Sequence, residues 1–361
     1  MTLKVALVGC GKIADGHIEE IKKLGRAKIV AVCDLELLMA EQVAVRYAIP
    51  AHYDDVEKML AREQPDVVHI TTPPRSHLPL ARLAVDAGCH VFVEKPFALT
   101  FADACQMIDC VESAGKKVTV GYSYLFDPPA VRMREIVGEG RLGEIVHVES
   151  FYGYNLDGPF GAAIMSDPSH WVHSLPGGLL QNNIDHMLYK VTEFVQDERP
   201  EIRAVGAIRR TRRYGDQRDR LLDELRVIIQ GEQATGYGTF SSHARPVGHF
   251  ARVYGTKNTM HVDYVSRSVV LEPTGSLPGV FGRLTPPFAS AGRYWNAGAS
   301  NLQRFAQSDF QFFAGLNALI ARFYDAIAGD TAPPIPYRDI RRIAAMMDEI
   351  FSQTSTTGAG R

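Results

Sequence analysis

The stretch "HVFVEKPFAL", residues 90–99, closes an apolar run on two adjacent charges, Glu94 and Lys95, followed by Pro96. Ion pairs on a solvated surface contribute little, and a pair that ends a buried strand fits that description poorly. A lysine held there is suited to two tasks. Its ammonium stabilises negative charge developing on an oxygen, or, once desolvated, its amine takes the proton itself. Pro96 would fix the turn that aims it, at a point where a small misplacement is costly in rate. A second candidate lies in "LLQNNIDHMLYK". His186 carries the side chain best matched to proton transfer near neutral pH. If that segment is one helix, Asn182, His186 and Lys190 share a face at i, i+4 and i+8. A core histidine satisfied by hydrogen bonds is the plain alternative.

A third group of residues suits a phosphate. "GCGKIA" places Gly9, Gly11 and Ala14 in a GxGxxA pattern after an apolar run and at the start of a helical one. Gly9 permits the tight turn and Gly11 lets the backbone approach a pyrophosphate. Ala14 lets helix and strand pack closely, and the helix N-terminus faces the anion, with Lys12 and Ile13 in its first turn. Asp34 closes the second apolar run at the spacing at which a carboxylate meets the adenosine ribose hydroxyls. It would repel a 2′-phosphate, and "LELLMAE" after it holds no Arg or Lys. The expected cofactor is therefore NAD(H) in preference to NADP(H). Asp34 also reads as a helix N-cap, and both roles are compatible. "TTPPRSH" contributes Thr72 and Pro73 in a rigid turn, with His77 as either a ligand contact or a helix-start residue.

These residues need elements to hold them. "KVALVG", "AKIVAVCD", "PDVVHITTP", "CHVFVEKP" and "KKVTVGYSY" are apolar runs separated by helical segments. That alternation predicts parallel β-α-β units, and near-continuous apolarity predicts strands buried on both faces. Lys95 then sits at the carboxyl end of the fourth strand, where ligands bind in open α/β sheets. Beyond residue 123, seven strand-like segments from "IVHVESFYGY" to "SVVLEP" follow with little helix between most of them. They predict a large, mostly antiparallel sheet. Helices are expected at "PAVRMREIVGEG", "NIDHMLYKVTEFV", "DFQFFAGLNALIARFYDAIAG" and "YRDIRRIAAMMDEIFSQ". The fold class is thus α/β plus α+β. A Rossmann domain covers residues 1–122, an α+β domain 123–351, and a frayed tail 352–361. Residues 275–301 lack periodicity and read as a long loop.

The ordered set of glycine turn, Asp34, "TTPPRSH" and "VEKP" resembles the glucose–fructose oxidoreductase, inositol dehydrogenase and rhizopine-catabolism family, Gfo/Idh/MocA. "VTVGYSYLFDPP", "GRLGEIVHVES", "PGGLLQNNIDHMLYKV" and "FFAGLNALIARFYDAI" are similar to later segments of that family, so the likeness covers nearly the whole chain. It implies a nicotinamide-dependent dehydrogenase or reductase of sugars, cyclitols or nucleotide-sugars, and assembly as a homodimer or homotetramer. It implies Glu94 and Lys95 near the nicotinamide ribose and His186 as general acid–base, with Lys95 its electrostatic partner. Asn182 stands where many relatives carry Asp, and Ser123 where relatives often carry Asn. Asn182 would orient the substrate or His186 rather than act by charge. Ser123, Tyr124 and Trp171 are the remaining expected substrate contacts; Trp171 also suits a core position. Two other readings stay open: NAD held tightly and recycled within the site, and a non-catalytic NAD- or ligand-binding protein.

Composition limits the rest. The chain has 361 residues and a net charge of −2, which favours neither nucleic acid nor an anionic membrane as partner. No apolar run is long enough to span a bilayer, and the start lacks a signal-peptide layout. Five cysteines without metal-type spacing read as reduced thiols of a cytoplasmic protein. His170, His173 and His186 lack metal-ligand spacing, and no metal is expected. The cluster Arg209, Arg210, Arg212 and Arg213 reads as a charged strand edge rather than a phosphate clamp.

Overall fold

Strands too uniformly apolar to face water build the first sheet. The computed structural model describes residues 2–209, 221–274, 279–307, 311 and 313–357. They divide into two units, Met1–Ser123 with Gly315–Asp348, and Tyr124–Ala314 with Glu349–Arg361. In the first, strands β1 (Leu3–Val8), β2 (Ala27–Cys33), β3 (Ala51–Tyr53), β4 (Val67–Ile70), β5 (His90–Val93) and β6 (Val118–Val120) lie in the order β3-β2-β1-β4-β5-β6. Every pairing is parallel. Helices α1 (Lys12–Leu24), α2 (Leu37–Tyr47), α3 (Val56–Glu63), α4 (His77–Asp86) and α5 (Phe101–Ser113) alternate with the strands. Val5, Leu7, Ile70, Val91, Phe92 and Val93 are wholly buried, as strands covered on both faces require.

Three expectations change here. The sequence reading passed over β3 and α3, so the strand that ends at Glu94 is β5, not the fourth. β3 is three residues long at the sheet edge and only partly buried, too short to show a period. The second change concerns the boundary of the first unit, which gains residues 315–348. These belong to helices α12 (Ala314–Ala328) and α13 (Tyr337–Thr357). Leu316, Leu319, Ile320, Phe323 and Tyr324 of α12 are buried, and Phe323 meets Phe92 of β5 edge-on at 6.1 Å. The apolar stripe of α12 completes the cover of the parallel sheet. The third change concerns the expected tail 352–361: α13 continues to Thr357, and residues 358–361 lie outside the described residues.

The second unit is built on β7 (Ile145–Gly153), β8 (Glu201–Ala207), β9 (Glu224–Gln230), β10 (Thr235–Ser241), β11 (His249–Gly255), β12 (Asn258–Asp263) and β13 (Ser268–Pro273). The order is β13-β12-β11-β7-β10-β9-β8, antiparallel except for β7 beside β10. Its helices are α6 (Pro128–Gly138), α7 (Pro159–Ser166), α8 (Gly178–Gln181), α9 (Asp185–Thr192), α10 (Gly279–Leu284) and α11 (Pro286–Ala306). The alternation on β10 decides where α9 can sit. Gly236 and Gly238 face inward, and a Cβ on either would stand 2.3 Å from Val191 or 2.6 Å from Met187. Only glycine lets α9 pack this closely.

Two further expectations fail in this unit. Of the expected loop 275–301, residues 275–278 lie outside the described residues and the rest is not structureless, because α10 and α11 occupy Gly279–Leu284 and Pro286–Ala306. Pro286 and Pro287 open α11, where a missing N–H costs nothing, and its interspersed glycines and serines give the stretch the composition of a loop. The segment around His186 is two helices, not one. α8 ends at Gln181 and α9 begins at Asp185. Asn183 turns its amide back to the Leu179 carbonyl (2.8 Å), a local bond that competes with helix continuation. Of the arginine cluster, Arg209 lies past the end of β8 and is exposed; Arg210, Arg212 and Arg213 lie outside the described residues. No helix among the described residues is long and apolar enough to cross a membrane.

Candidate active site

The glycine turn lies where the strand order reverses between β1 and β4, the ligand crevice of such sheets. Gly9 has φ +98°, and a Cβ there would meet Thr71 and Thr72 backbone at 2.8 Å. Gly11 has open space where its Cβ would be, and no side chain caps the start of α1. The amides of Lys12 and Ile13 in that first turn suit an anion. Asp34 braces the turn: its Oδ2 accepts the Cys10 N–H (2.7 Å) and its Oδ1 the Glu36 N–H (3.0 Å). Each carboxylate oxygen keeps a second lone pair for a ribose hydroxyl. Thr72 accepts from Ser76 Oγ (2.7 Å), and Pro73 precedes a tight turn into α4. His77 is fully buried at the start of α4, with its ring nitrogens 2.8 Å from the Thr72 carbonyl and 3.2 Å from that of Phe97. Burial pulls its pKa down. It ties the two loops together. The residues present thus fit a dinucleotide.

Lys95 is half-buried at the end of β5. Glu94 beside it points inward, only 8% exposed. Its Oε2 accepts the Lys95 N–H (3.0 Å) and its Oε1 lies 2.8 Å from His17 Nε2. From there a buried chain runs on: His17 Nδ1 to His69 Nδ1 at 2.9 Å, and His69 Nε2 to the Tyr324 hydroxyl at 2.9 Å. A carboxylate only accepts, so with both imidazoles neutral the polarity follows. Tyr324 donates to His69, His69 to His17, and His17 to Glu94. Burial holds the His69 pKa well below its ordinary value, with His17 adding to the effect. Gly121 faces Glu94; a Cβ there would stand 2.6 Å from Oε1. Sequence reasoning missed His17, His69 and Tyr324. Only the inward face of α1, with Ala14, Ile18 and Ile21 buried beside His17, hinted at the first.

In the second unit, α9 carries His186, 6% exposed. Its backbone N–H donates to the Asp185 carboxylate (2.8 Å), and its Nδ1 lies 2.9 Å from the Tyr189 hydroxyl. Tyr152 and Tyr124 pack on the ring at 4.7 and 5.2 Å. Burial pushes the Tyr124 hydroxyl up to about 12. Asn182 is buried in the turn between α8 and α9. Lys190, one turn after His186, is 1% exposed. Its Nζ donates to the Phe151 carbonyl (3.3 Å) and lies 5.2 Å over the Tyr264 ring. Burial pulls its pKa well down. Trp171 is half-buried and stacks with His170 at 5.5 Å. Ser123 is half-buried after β6. Tyr189 is a partner that the i+3 spacing from His186 could have revealed. Among the described residues no three or more His, Cys, Asp or Glu are grouped to hold a metal ion.

An open parallel sheet in this order, with a bare glycine turn at its switch point and an acid after β2, defines a dinucleotide-binding protein of the Rossmann kind. The chain belongs to the Gfo/Idh/MocA oxidoreductase family. Residues 3–122 match the profile of that family's NAD-binding Rossmann fold, and residues 130–261 that of its C-terminal domain. A D-glucoside 3-dehydrogenase of Escherichia coli is 37% identical over 40% of this chain and 41% of that protein. A 1-carboxy-3-chloro-3,4-dihydroxycyclohexa-1,5-diene dehydrogenase of Comamonas testosteroni is 32% identical over 52% of this chain and 46% of that protein. The chain thus spans less than half the length of these relatives. The WlbA dehydrogenase of Bordetella pertussis, solved with NADH and UDP-GlcNAcA, superposes with a TM-score of 0.77 over 99% of this chain and 96% of that one, at 19% identity.

Proposed function

We propose that this chain is an NAD-dependent dehydrogenase or reductase acting on a secondary hydroxyl or ketone of a sugar, cyclitol or nucleotide-sugar. The observation that carries the reading is His186: an enclosed imidazole whose Nδ1 is tied to Tyr189. The two relatives and WlbA support the substrate class through a sugar, a cyclic diol and a nucleotide-sugar.

The residues that would hold NAD are the Gly9, Gly11, Lys12 and Ile13 backbone at the diphosphate, Asp34 at the adenosine ribose, and Thr72, Pro73, Glu94 and Lys95 further along the crevice. His77 supports them from behind. Bound NAD⁺ supplies the hydride acceptor. His186 takes the hydroxyl proton, with Tyr189 holding its Nδ1. The Lys95 ammonium stabilises the charge that develops on that oxygen. Asn182 orients the substrate or His186, and Ser123, Tyr124 and Trp171 contact the substrate. Reduction of the ketone runs the same steps backwards, with imidazolium as the acid. The acid Asp34 favours NAD(H) over NADP(H). Assembly as a homodimer or homotetramer belongs to the same reading. The outer face of the second sheet supports it, with exposed Val205 and Ile228 and the stacked pair Phe151 and Phe250 at 5.0 Å. The five cysteines are free, which suits a cytoplasmic setting.

The test is reduction of NAD⁺ and of NADP⁺ against a panel of methyl glycosides, inositols and UDP-sugars. Turnover with NAD⁺ is expected, and a higher kcat/KM with NADP⁺ removes the cofactor preference. His186→Ala is expected to lower kcat by ~10²–10⁴-fold while NAD⁺ still binds. Near-normal turnover in that variant removes the assignment.

A further inference from the structure

The second unit holds a buried imidazole that the roles above leave unused. His249 opens β11 and is 6% exposed. Its ring stacks on Tyr264 at 4.7 Å and meets Tyr124 and Tyr152 edge-on at 4.4 and 4.9 Å. Its backbone carbonyl accepts the Tyr264 N–H (2.9 Å), which fixes the strand at this point. Its Nε2 is enclosed and has no hydrogen-bond partner among the described residues. Buried polar atoms are nearly always paired, so an exception beside His186 calls for a partner, an ordered water or a bound ligand.

Three features say what that partner is. Burial, with Lys190 and His186 close by, holds the His249 ring neutral. Nε2 is then a donor in one tautomer and an acceptor in the other, and a hydroxyl answers either. The rings of Tyr124, Tyr152 and Tyr264 pack on the imidazole itself, so the surroundings are aromatic, an environment that suits the C–H groups beside the hydroxyl of a cyclic polyol. The His186 ring lies 6.3 Å away by centroids. That is too far for the two rings to bond directly, but it accommodates two oxygens on neighbouring carbons, one at each ring.

The geometry points to His249 as a specificity residue that hydrogen-bonds the hydroxyl on the carbon next to the one oxidised. This rests on the reading of the chain as a sugar or cyclitol dehydrogenase. Whichever of methyl α-D-glucopyranoside, myo-inositol and UDP-N-acetylglucosamine the wild type oxidises with NAD⁺ is compared with its monodeoxy analogues. His249→Phe keeps an aromatic ring and is expected to raise KM for the parent compound about tenfold or more, with the NAD⁺ Kd unchanged. For the one analogue that lacks the contacted hydroxyl, wild type and variant should have the same KM. His249→Gln restores a donor and an acceptor and should recover part of the loss. If His249→Phe does not fold, the comparison is made with His249→Gln, which should discriminate among the analogues less than wild type does. Unchanged KM, or an equal penalty on every analogue, overturns the assignment and leaves the dehydrogenase reading intact. A wild type that oxidises none of the three compounds overturns both.

Discussion

The chain from Glu94 through His17 and His69 to Tyr324 makes an uneven prediction, because its polarity fixes which member matters most. His17→Phe keeps the ring volume and the edge contact with Phe92 at 5.1 Å but removes both nitrogens. Glu94 Oε1, buried, loses its donor, and a hydrogen bond to a charged group contributes ~1.5–3 kcal/mol. The His69 Nδ1–H is left buried without an acceptor, at a further ~1–3 kcal/mol. The two losses share one network and do not add fully, so the expected destabilisation is about 3–5 kcal/mol. At ~2–4 °C per kcal/mol for a domain of this size, the melting transition of the first unit should fall by about 6–20 °C. Tyr324→Phe removes only the terminal neutral donor and should cost about 1–2 kcal/mol. Calorimetry of both variants beside the wild type reads the difference. A Tyr324→Phe cost equal to or larger than that of His17→Phe refutes the polarity, and a neutral His17→Phe refutes the network.

The other predictions concern pH, a buried amine and the glycine turn. Burial depresses the pKa of His69 and His249 well below the ordinary value, and that of His90 to about 4. On acidification the unfolded chain takes up these protons near pH ~6.5 while the folded chain does not. Stability is therefore fully present above that pH and is lost as pH falls toward the folded values, by up to ~1.4 kcal/mol per pH unit for each histidine. Urea titrations with the same unfolding free energy at pH 7 and pH 5 contradict this. Lys190→Met fills the same space without a buried amine and should stabilise the second unit by about 1–3 kcal/mol; a lower melting temperature would show that the amine holds the fold. Gly9→Ala forces a Cβ against Thr71 and Thr72 at φ +98°, so a loss of about 2–4 kcal/mol with loss of NAD⁺ binding is expected by calorimetry and titration.

The large architecture was legible because burial on both faces writes itself as unbroken apolar runs: β1, β2, β4 and β5 are such runs. The seven strands of the second sheet showed as strand-like runs, such as "LRVIIQ", with little helix between most of them. What escaped was short or masked. β3 has too few residues to carry a period. α3 follows Asp55, whose side chain accepts the Lys58 N–H (3.0 Å), a capping signal that was present but lay between stronger segments. α11 does carry a helical stripe, Phe288, Ala291, Trp295, Leu302 and Phe305, but the glycines and serines between them and the two prolines at its start read as loop. The site divides the same way. Gly9, Gly11 and Asp34 act through local backbone geometry, so spacing finds them. The chain of His17, His69, Glu94 and Tyr324 joins residues from α1, β4, β5 and α12, and no local pattern marks such a set. His249 likewise acquires its meaning only from the rings that surround it.

The first unit is assembled from two stretches of chain, with residues 124–314 inserted between them. A ribosome delivers the parallel sheet early, but α12, which supplies Tyr324 and covers Phe92, arrives some two hundred residues later. Until then the sheet has a bare apolar flank and His69 has no hydroxyl to accept from. Domains made from continuous sequence close as soon as they emerge; this one has to wait for its last helices, and a fragment that stops at Ser123 should expose a sticky surface. The inserted unit has the same property in reverse, since Glu349 onward belongs to it. Each unit is finished only by residues that follow position 314, which makes their maturation concurrent and ties the nucleotide fold to synthesis of α12 and α13.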